Sequence, residues 1–201
     1  EIKLVFSKPV VLEKETGVFL SEDILPLRIT PHLKGRGKWV NTSTFIYTPT
    51  GGIIAPATLY RVSIKGVRDI NGKALSGKPT FEFHSPRLEF KGIRQVDFNL
   101  SQQRVEYELE FSLPVSPFRL KGFLEFRNHR QELLAYTPSN GPPSNKARVS
   151  LSAANNETIT MSIAEGLTSE AGPLGLEKKV QTSLKTSLKM MIQEILPFVG
   201  L

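Results

Sequence analysis

Short alternating runs of apolar and polar residues, broken by proline, glycine and asparagine, fill this chain and point to β-strands throughout. In the first half, Ile2, Leu4 and Phe6 alternate with Lys3, Val5 and Ser7 until Pro9 blocks further pairing of that edge. Leu25 to Ile29 predicts a second strand, ended by Thr30-Pro31, and Trp39 with the Thr44–Pro49 run supplies bulky residues for a core. Tyr60 to Ile64 alternates cleanly and leads to Asp69-Ile70-Asn71-Gly72, where Asn-Gly signals a tight hairpin turn; Thr80 to His84 closes the unit. Ser85-Pro86 marks the boundary. In the second half, Arg104 to Phe111 predicts a strand with Val105, Tyr107, Leu109 and Phe111 on one face and Glu106, Glu108 and Glu110 on the other, solvent-facing side. Further strands are expected over Phe123–Phe126, Leu133–Tyr136, Ala147–Leu151, Thr158–Ile163 and Val180–Leu188, with an exposed loop at Ser139–Asn145. From Leu184 the pattern supports two readings. Leu184, Leu188, Met191, Ile192 and Ile195 fall at helical spacing, but the preceding alternation favours a strand leading into a further module.

The halves also repeat one another. Phe6-Ser7-Lys8-Pro9-Val10 returns as Phe111-Ser112-Leu113-Pro114-Val115, an offset of 105 residues. Ser63-Ile64-Lys65-Gly66-Val67 with Gly72 and Leu75 returns, 99 or 100 residues on, as Ser162-Ile163-Ala164-Glu165-Gly166-Leu167 with Gly172 and Leu174. A unit of about one hundred residues is the size of one β-sandwich. The expected fold is therefore all-β, two tandem sandwiches over residues 1–85 and 86–201. The opening in mid-strand at Glu1–Phe6 and the close at Pro197–Leu201 fit a segment of something longer.

Composition narrows the chemistry. The 201 residues carry 26 Lys and Arg against 19 Asp and Glu, a net charge of +7, spread along the chain without a basic block interleaved with aromatics. That pattern is expected of a soluble surface or one lying near anionic lipid head groups, not of nucleic-acid binding. The absence of cysteine removes disulfides, thiolate nucleophiles and sulfur-ligated metals. His32, His84 and His129 are isolated in sequence, and no Gly-x-Ser-x-Gly elbow is present. Asp69, Asn71 and Gly72 resemble part of a calcium loop, but the downstream glutamate is missing and Lys73 opposes a cation. Gly35-Arg36-Gly37 lacks the Gly-Lys-Ser/Thr and the helix start of a phosphate cradle. Asn41, Asn99 and Asn156 head glycosylation sequons, which matter only in a eukaryotic secretory route. Trp39, lying between strand signals, is expected in the core. Catalytic, cofactor and metal sites are thus expected to number none, and the chain to be no enzyme.

Val5–Val10, Ile29-Thr30-Pro31, Gly37-Lys38-Trp39, Phe45-x-Tyr47-x-Pro49, Pro56–Ile64 and Val67–Leu75 together cover nearly all of residues 1–85. Over that span the first unit resembles a bacterial immunoglobulin-like domain. The second shares the Phe-Ser-x-Pro-Val and Gly-Leu closing elements but lacks the tryptophan and, before the matching Gly172, the asparagine of the Asn-Gly turn. This pair, one such domain followed by a divergent, macroglobulin-like one, is similar to the N-terminal region of bacterial alpha-2-macroglobulins. The resemblance implies two tandem immunoglobulin-like sandwiches serving as scaffold in a large exported protease-trapping inhibitor, a periplasmic, membrane-anchored lipoprotein. It also implies partners among neighbouring domains of the same longer chain, and target proteases held through regions outside this segment. The other expectation is a tandem stalk or ligand-binding module of a bacterial surface adhesin at the cell surface, with the Pro142-Pro143 loop carrying recognition. Accessory domains of a polysaccharide-processing enzyme are a third reading, but no exposed aromatic row for sugar stands out.

Overall fold

A computed structural model describes residues 1–51, 54–76 and 80–188, and its strands are antiparallel throughout. They fall into two compact units, Glu1–Pro86 and Arg87–Leu201.

In the first unit, β1 (Ile2–Val5), β2 (Phe19–Leu20), β4 (Gly35–Asn41) and β5 (Thr44–Pro49) form one sheet in the order β1-β5-β4-β2. The second sheet orders β3 (Leu27–Thr30), β6 (Leu59–Ile64) and β7 (Thr80–His84) as β3-β6-β7. Leu4, Trp39, Phe45 and Tyr47 from the first sheet meet Leu27, Ile29, Tyr60 and Val62 from the second in one core, which makes the unit a sandwich. Trp39 is only 4% exposed, with Phe6 and Phe45 at centroid distances of 5.6 and 5.3 Å, so it is the core anchor its sequence context implied. Gly35 and Gly37 have a packing role. A Cβ at Gly37 would stand 2.1 Å from the Phe45 ring and one at Gly35 2.5 Å from the Tyr47 ring, so bare backbone at these positions lets both rings lie across β4. The unit ends on a buried serine. Ser85 Oγ donates to Ala55 O at 2.7 Å and accepts from Thr58 N at 2.9 Å, tying the boundary back to the start of β6.

In the second unit, β8 (Phe90–Asn99), β9 (Arg104–Val115), β12 (Tyr136–Pro138) and β13 (Ser144–Ser152) form a sheet ordered β12-β13-β9-β8. Opposite lies β11-β10-β14-β15, from β10 (Leu124–Arg127), β11 (Leu133–Leu134), β14 (Thr158–Ile163) and β15 (Val180–Lys185). A single helical turn, α1 (Pro117–Leu120), joins β9 to β10 and buries Leu120. Val105, Tyr107, Leu109 and Phe111 point inward together, as their alternation predicts, against Phe126, Ile159, Met161 and Ile163. The Leu133–Tyr136 run is not one strand: β11 pairs with β10 and β12 with β13, so the chain crosses between sheets at Ala135. The expected loop is also shorter, because Ser144 and Asn145 already belong to β13.

β15 stops at Lys185, short of the Leu188 expected from the pattern, for a local reason. Thr186 is fully buried; its hydroxyl donates to Ala154 O at 2.5 Å and accepts from Glu157 N at 2.8 Å. Thr186 N still donates to Glu157 O, but its carbonyl accepts from Asn156 N, which breaks the regular ladder, and Gln95 then bonds Ser187 on both backbone groups, at 2.6 and 3.1 Å. Met191, Ile192 and Ile195, the rest of the helical-spacing set, lie outside the described residues, as does the lead into a further module.

The two units share one pairing plan. Matching β1 with β9, β3 with β10, β4 with β12, β5 with β13, β6 with β14 and β7 with β15 reproduces the order β1-β5-β4 in one sheet and β3-β6-β7 in the other; the edge strands β2 of the first unit and β8 and β11 of the second have no counterpart. The repeated motifs sit at matched places. Phe6 N donates to Ser43 O and Val10 N to Thr42 O, so β1 and its continuation advance four residues while the partner moves one. From Glu110 opposite Lys146 to Val115 opposite Ser144, β9 advances five while its partner moves two. Each Phe-Ser-x-Pro-Val motif thus bulges out of register by three residues, inside β9 in the second unit and, in the first, past the end of β1 against the β4–β5 turn, and proline fits because ladder donors are already lost there.

Candidate functional site

The second repeated element meets the first. Ile70 N donates to Pro9 O at 3.1 Å, and in the other unit Glu170 N donates to Pro114 O at 3.0 Å. Gly66 (φ +45°) and Gly166 (φ +84°) turn the chain after β6 and β14 through left-handed conformations that a Cβ disfavours. Each turn delivers a buried aliphatic residue, Val67 or Leu167. In the second unit this junction is tightly closed, with Leu167 and Val115 fully buried.

In the first unit the corresponding junction is open. A groove of about 360 Å3 runs between the Val5–Val10 bulge and the Val67–Ser76 segment. Val5 (69% exposed) and Leu75 (43%) give it apolar walls, and Lys8, Arg68 and Lys73 outnumber Asp69 around it. Asp69 is committed to the turn: Oδ1 accepts from Asn71 N at 3.0 Å and Lys73 N at 2.9 Å, and Arg68 donates to Gly72 O at 2.9 Å. The Asp-x-Asn-Gly stretch is therefore a side-chain-capped turn closed by the Arg68–Ala74 bridge. No histidine lines this groove. Its chemistry suits an extended apolar segment bearing negative charge.

A smaller depression of about 280 Å3 contains Glu22, His32, Tyr47 and Lys65. Here the fold brings His32, isolated in sequence, against the Glu22 carboxylate, though both side chains are about two-thirds exposed. Tyr47 Oη donates to Leu33 O at 2.5 Å, and burial, aided by the Glu22 charge, raises its pKa. His84 Nδ1 lies 3.0 Å from Ser85 O, and His129 stands exposed. The described residues contain no group of three or more His, Cys, Asp and Glu side chains placed to hold a metal ion. The sequon asparagines serve turns: Asn41 Oδ1 accepts from Ser43 N, Asn99 Oδ1 from Gln102 N, and Asn156 takes a left-handed conformation.

The glutamates of β9 require a correction. Glu106, Glu108 and Glu110 do share the outer face, but Glu108 is not free in solvent: its side chain is 6% exposed. Arg94 reaches it at 2.7 Å from β8, Arg148 at 3.1 Å and Lys146 at 3.7 Å from β13, and their stems cover the carboxylate. Hydrogen bonding from Arg94 chiefly, opposed by desolvation and reinforced by Arg148 and the nearby positive charges, holds the Glu108 pKa below the ordinary glutamate range. No strand was expected over Phe90–Asn99, where Arg94 sits, so only the pairing of β8 and β13 with β9 reveals that these basic residues converge on Glu108. Tyr107 and Tyr136, on the core side, are both pushed up to about 12 by burial, Tyr107 with a smaller contribution from Glu157. No family model matches this chain, and no curated protein is found to be similar to it.

Proposed function

We propose that this chain is a non-catalytic scaffold segment of a large exported bacterial alpha-2-macroglobulin-like protease-trapping inhibitor. The observation that most supports the reading is the shared strand plan of the two units, with the residues of both repeated motifs committed to bulges, left-handed turns and core contacts. Side chains that sequence alone leaves open to other roles, among them Trp39, Gly35, Gly37, Asp69 and Glu108, take packing, turn or ion-pair roles. In this proposal the two sandwiches space and support neighbouring domains of the same longer chain. Proteases are engaged elsewhere in that chain, and the protein is a periplasmic lipoprotein anchored to a membrane. The net positive charge fits proximity to an anionic lipid surface.

The test is a trapping assay on the full-length protein, with one protease offered a small and a large substrate. Loss of activity on the large substrate while the small one is still cleaved supports a caged protease. Untouched activity on both, across several proteases, sinks the proposal.

A second reading, a tandem stalk or ligand-binding module of a surface adhesin, draws support from the exposed Ser139–Pro143 loop and the open groove of the first unit. Glycan and surface-binding screens on the 201-residue chain test it directly.

A further inference from the structure

β9 and β1 occupy matched positions, yet their outer edges differ. β9 is flanked on one side by β13 and on the other by β8, which pairs antiparallel along nearly its whole length. β1 pairs with β5 alone, and among the described residues nothing pairs with its other edge. That edge is ready for pairing. Phe6 N bonds Ser43 O, so by antiparallel alternation Leu4 and Ile2 also direct their backbone groups to β5, and Lys3 and Val5 direct theirs outward. An open edge of this kind, beside an apolar groove, is a template for strand addition.

The occupied edge indicates what the open one would accept. At the 105-residue offset Lys3 matches Glu108 and Val5 matches Glu110. Glu108 stands directly opposite Arg94 of β8 and bonds it at 2.7 Å, while Glu110 stands opposite Gly92. In the first unit the charge at the matched position is reversed and exposed, and Val5 overlooks the groove beside Leu75. We propose that the open edge of β1 binds an extended polypeptide strand, added antiparallel, with a carboxylate opposite Lys3 and an apolar side chain opposite Val5. A second copy of β1 is a poor occupant, because the carboxylate beside it, Glu1, stands opposite Lys3 only when the two strands overlap over Glu1–Lys3, which leaves Val5 unpaired. The inference rests on the pairing geometry and is independent of the protease-trapping proposal.

The probe is a synthetic ten-residue peptide copying Phe90–Asn99 with Gly92→Val and Arg94→Glu, titrated into the isotope-labelled 201-residue chain and followed by amide chemical shifts. The unaltered peptide is the control. The expected result is saturable shifts centred on Lys3, Val5 and Ser7, with the altered peptide binding roughly tenfold tighter, since an attraction replaces a cross-strand repulsion. Lys3→Glu should reverse the preference, which separates charge pairing from general stickiness. Val5→Pro removes an outward-facing donor together with the Val5 side chain, leaving the donors that face β5, and should abolish both titrations while the β5 ladder amides keep their positions. Shifts elsewhere, no shifts, or equal binding of both peptides would overturn the proposal. So would a dimer, formed without peptide, that carries the same shifts.

Discussion

Tyr107 offers a sharp test of the second core, because its ring and its hydroxyl pull in opposite directions. The side chain is 1% exposed and stacks on Phe126 at a centroid distance of 6.1 Å, while its Oη is buried without a hydrogen-bond partner among the described residues. Tyr107→Ala removes the ring and should cost about 3–5 kcal/mol. Tyr107→Phe keeps the ring and removes only the desolvated hydroxyl, so stability should be unchanged or rise by about 1 kcal/mol. The same hydroxyl predicts a pH dependence. Its pKa is about 12 in the folded chain against 10.0 as the ordinary value, so its contribution is complete below pH 10 and is lost as pH rises toward 12. After allowance for solvent screening the loss should be about 1–2 kcal/mol. Denaturant unfolding at pH 7 and at half-unit steps to pH 11.5, on wild type and Tyr107→Phe, isolates the effect, since Tyr136 titrates equally in both. A loss above about 1 kcal/mol for Tyr107→Phe at pH 7 would refute the unpartnered hydroxyl. Unchanged stability for Tyr107→Ala would refute the strand register itself.

Other substitutions probe separate parts of the molecule. Gly37→Ala drives a Cβ into the Phe45 ring and should destabilise the first unit by about 1–3 kcal/mol, read as a lowered denaturation midpoint. Trp39→Ala should cost about 3–5 kcal/mol in the same unit, and a cost below about 1 kcal/mol would contradict its anchoring role. Glu108→Gln should cost about 1 kcal/mol at pH 7, with Arg94, Lys146 and Arg148 free to return to water. Because the folded pKa of Glu108 is depressed, its stabilisation is present above the ordinary glutamate value of 4.5 and fades as pH falls through the folded value. The variant should show a shallower acid limb, and identical limbs would exclude the ion-pair cluster as a contributor.

What the sequence made legible is what alternation and turn chemistry encode locally. The inward set Val105, Tyr107, Leu109 and Phe111, the Trp39 core and the Asp69–Gly72 turn follow from period and residue type. The repeated motifs were visible too, but their reason was not: the matching bulges and the contacts of Pro9 with Ile70 and Pro114 with Glu170 depend on register between distant segments. The same limit hid Glu108, whose partners on β8 and β13 are set by pairing, and the sheet crossing at Ala135, which leaves no break in hydrophobicity. It also hid the open edge of β1, legible only beside its covered counterpart. The packing role of Gly35 and Gly37 was not legible either, because local sequence does not show an aromatic ring lying across a strand.

The central structural claim is that one module is used twice, held in both units by the same pair of motifs. Gly66→Ala and Gly166→Ala test it most directly, because a Cβ at Gly66 meets nothing within 4 Å and one at Gly166 only Phe123 at 3.8 Å, leaving backbone conformation as the main cost. Amide hydrogen exchange should show each variant lowering the protection of its own unit by about 1–2 kcal/mol, at Tyr60 and Val62 for the first and at Ile159 and Met161 for the second. A loss in only one variant, or in neither, would contradict the shared plan.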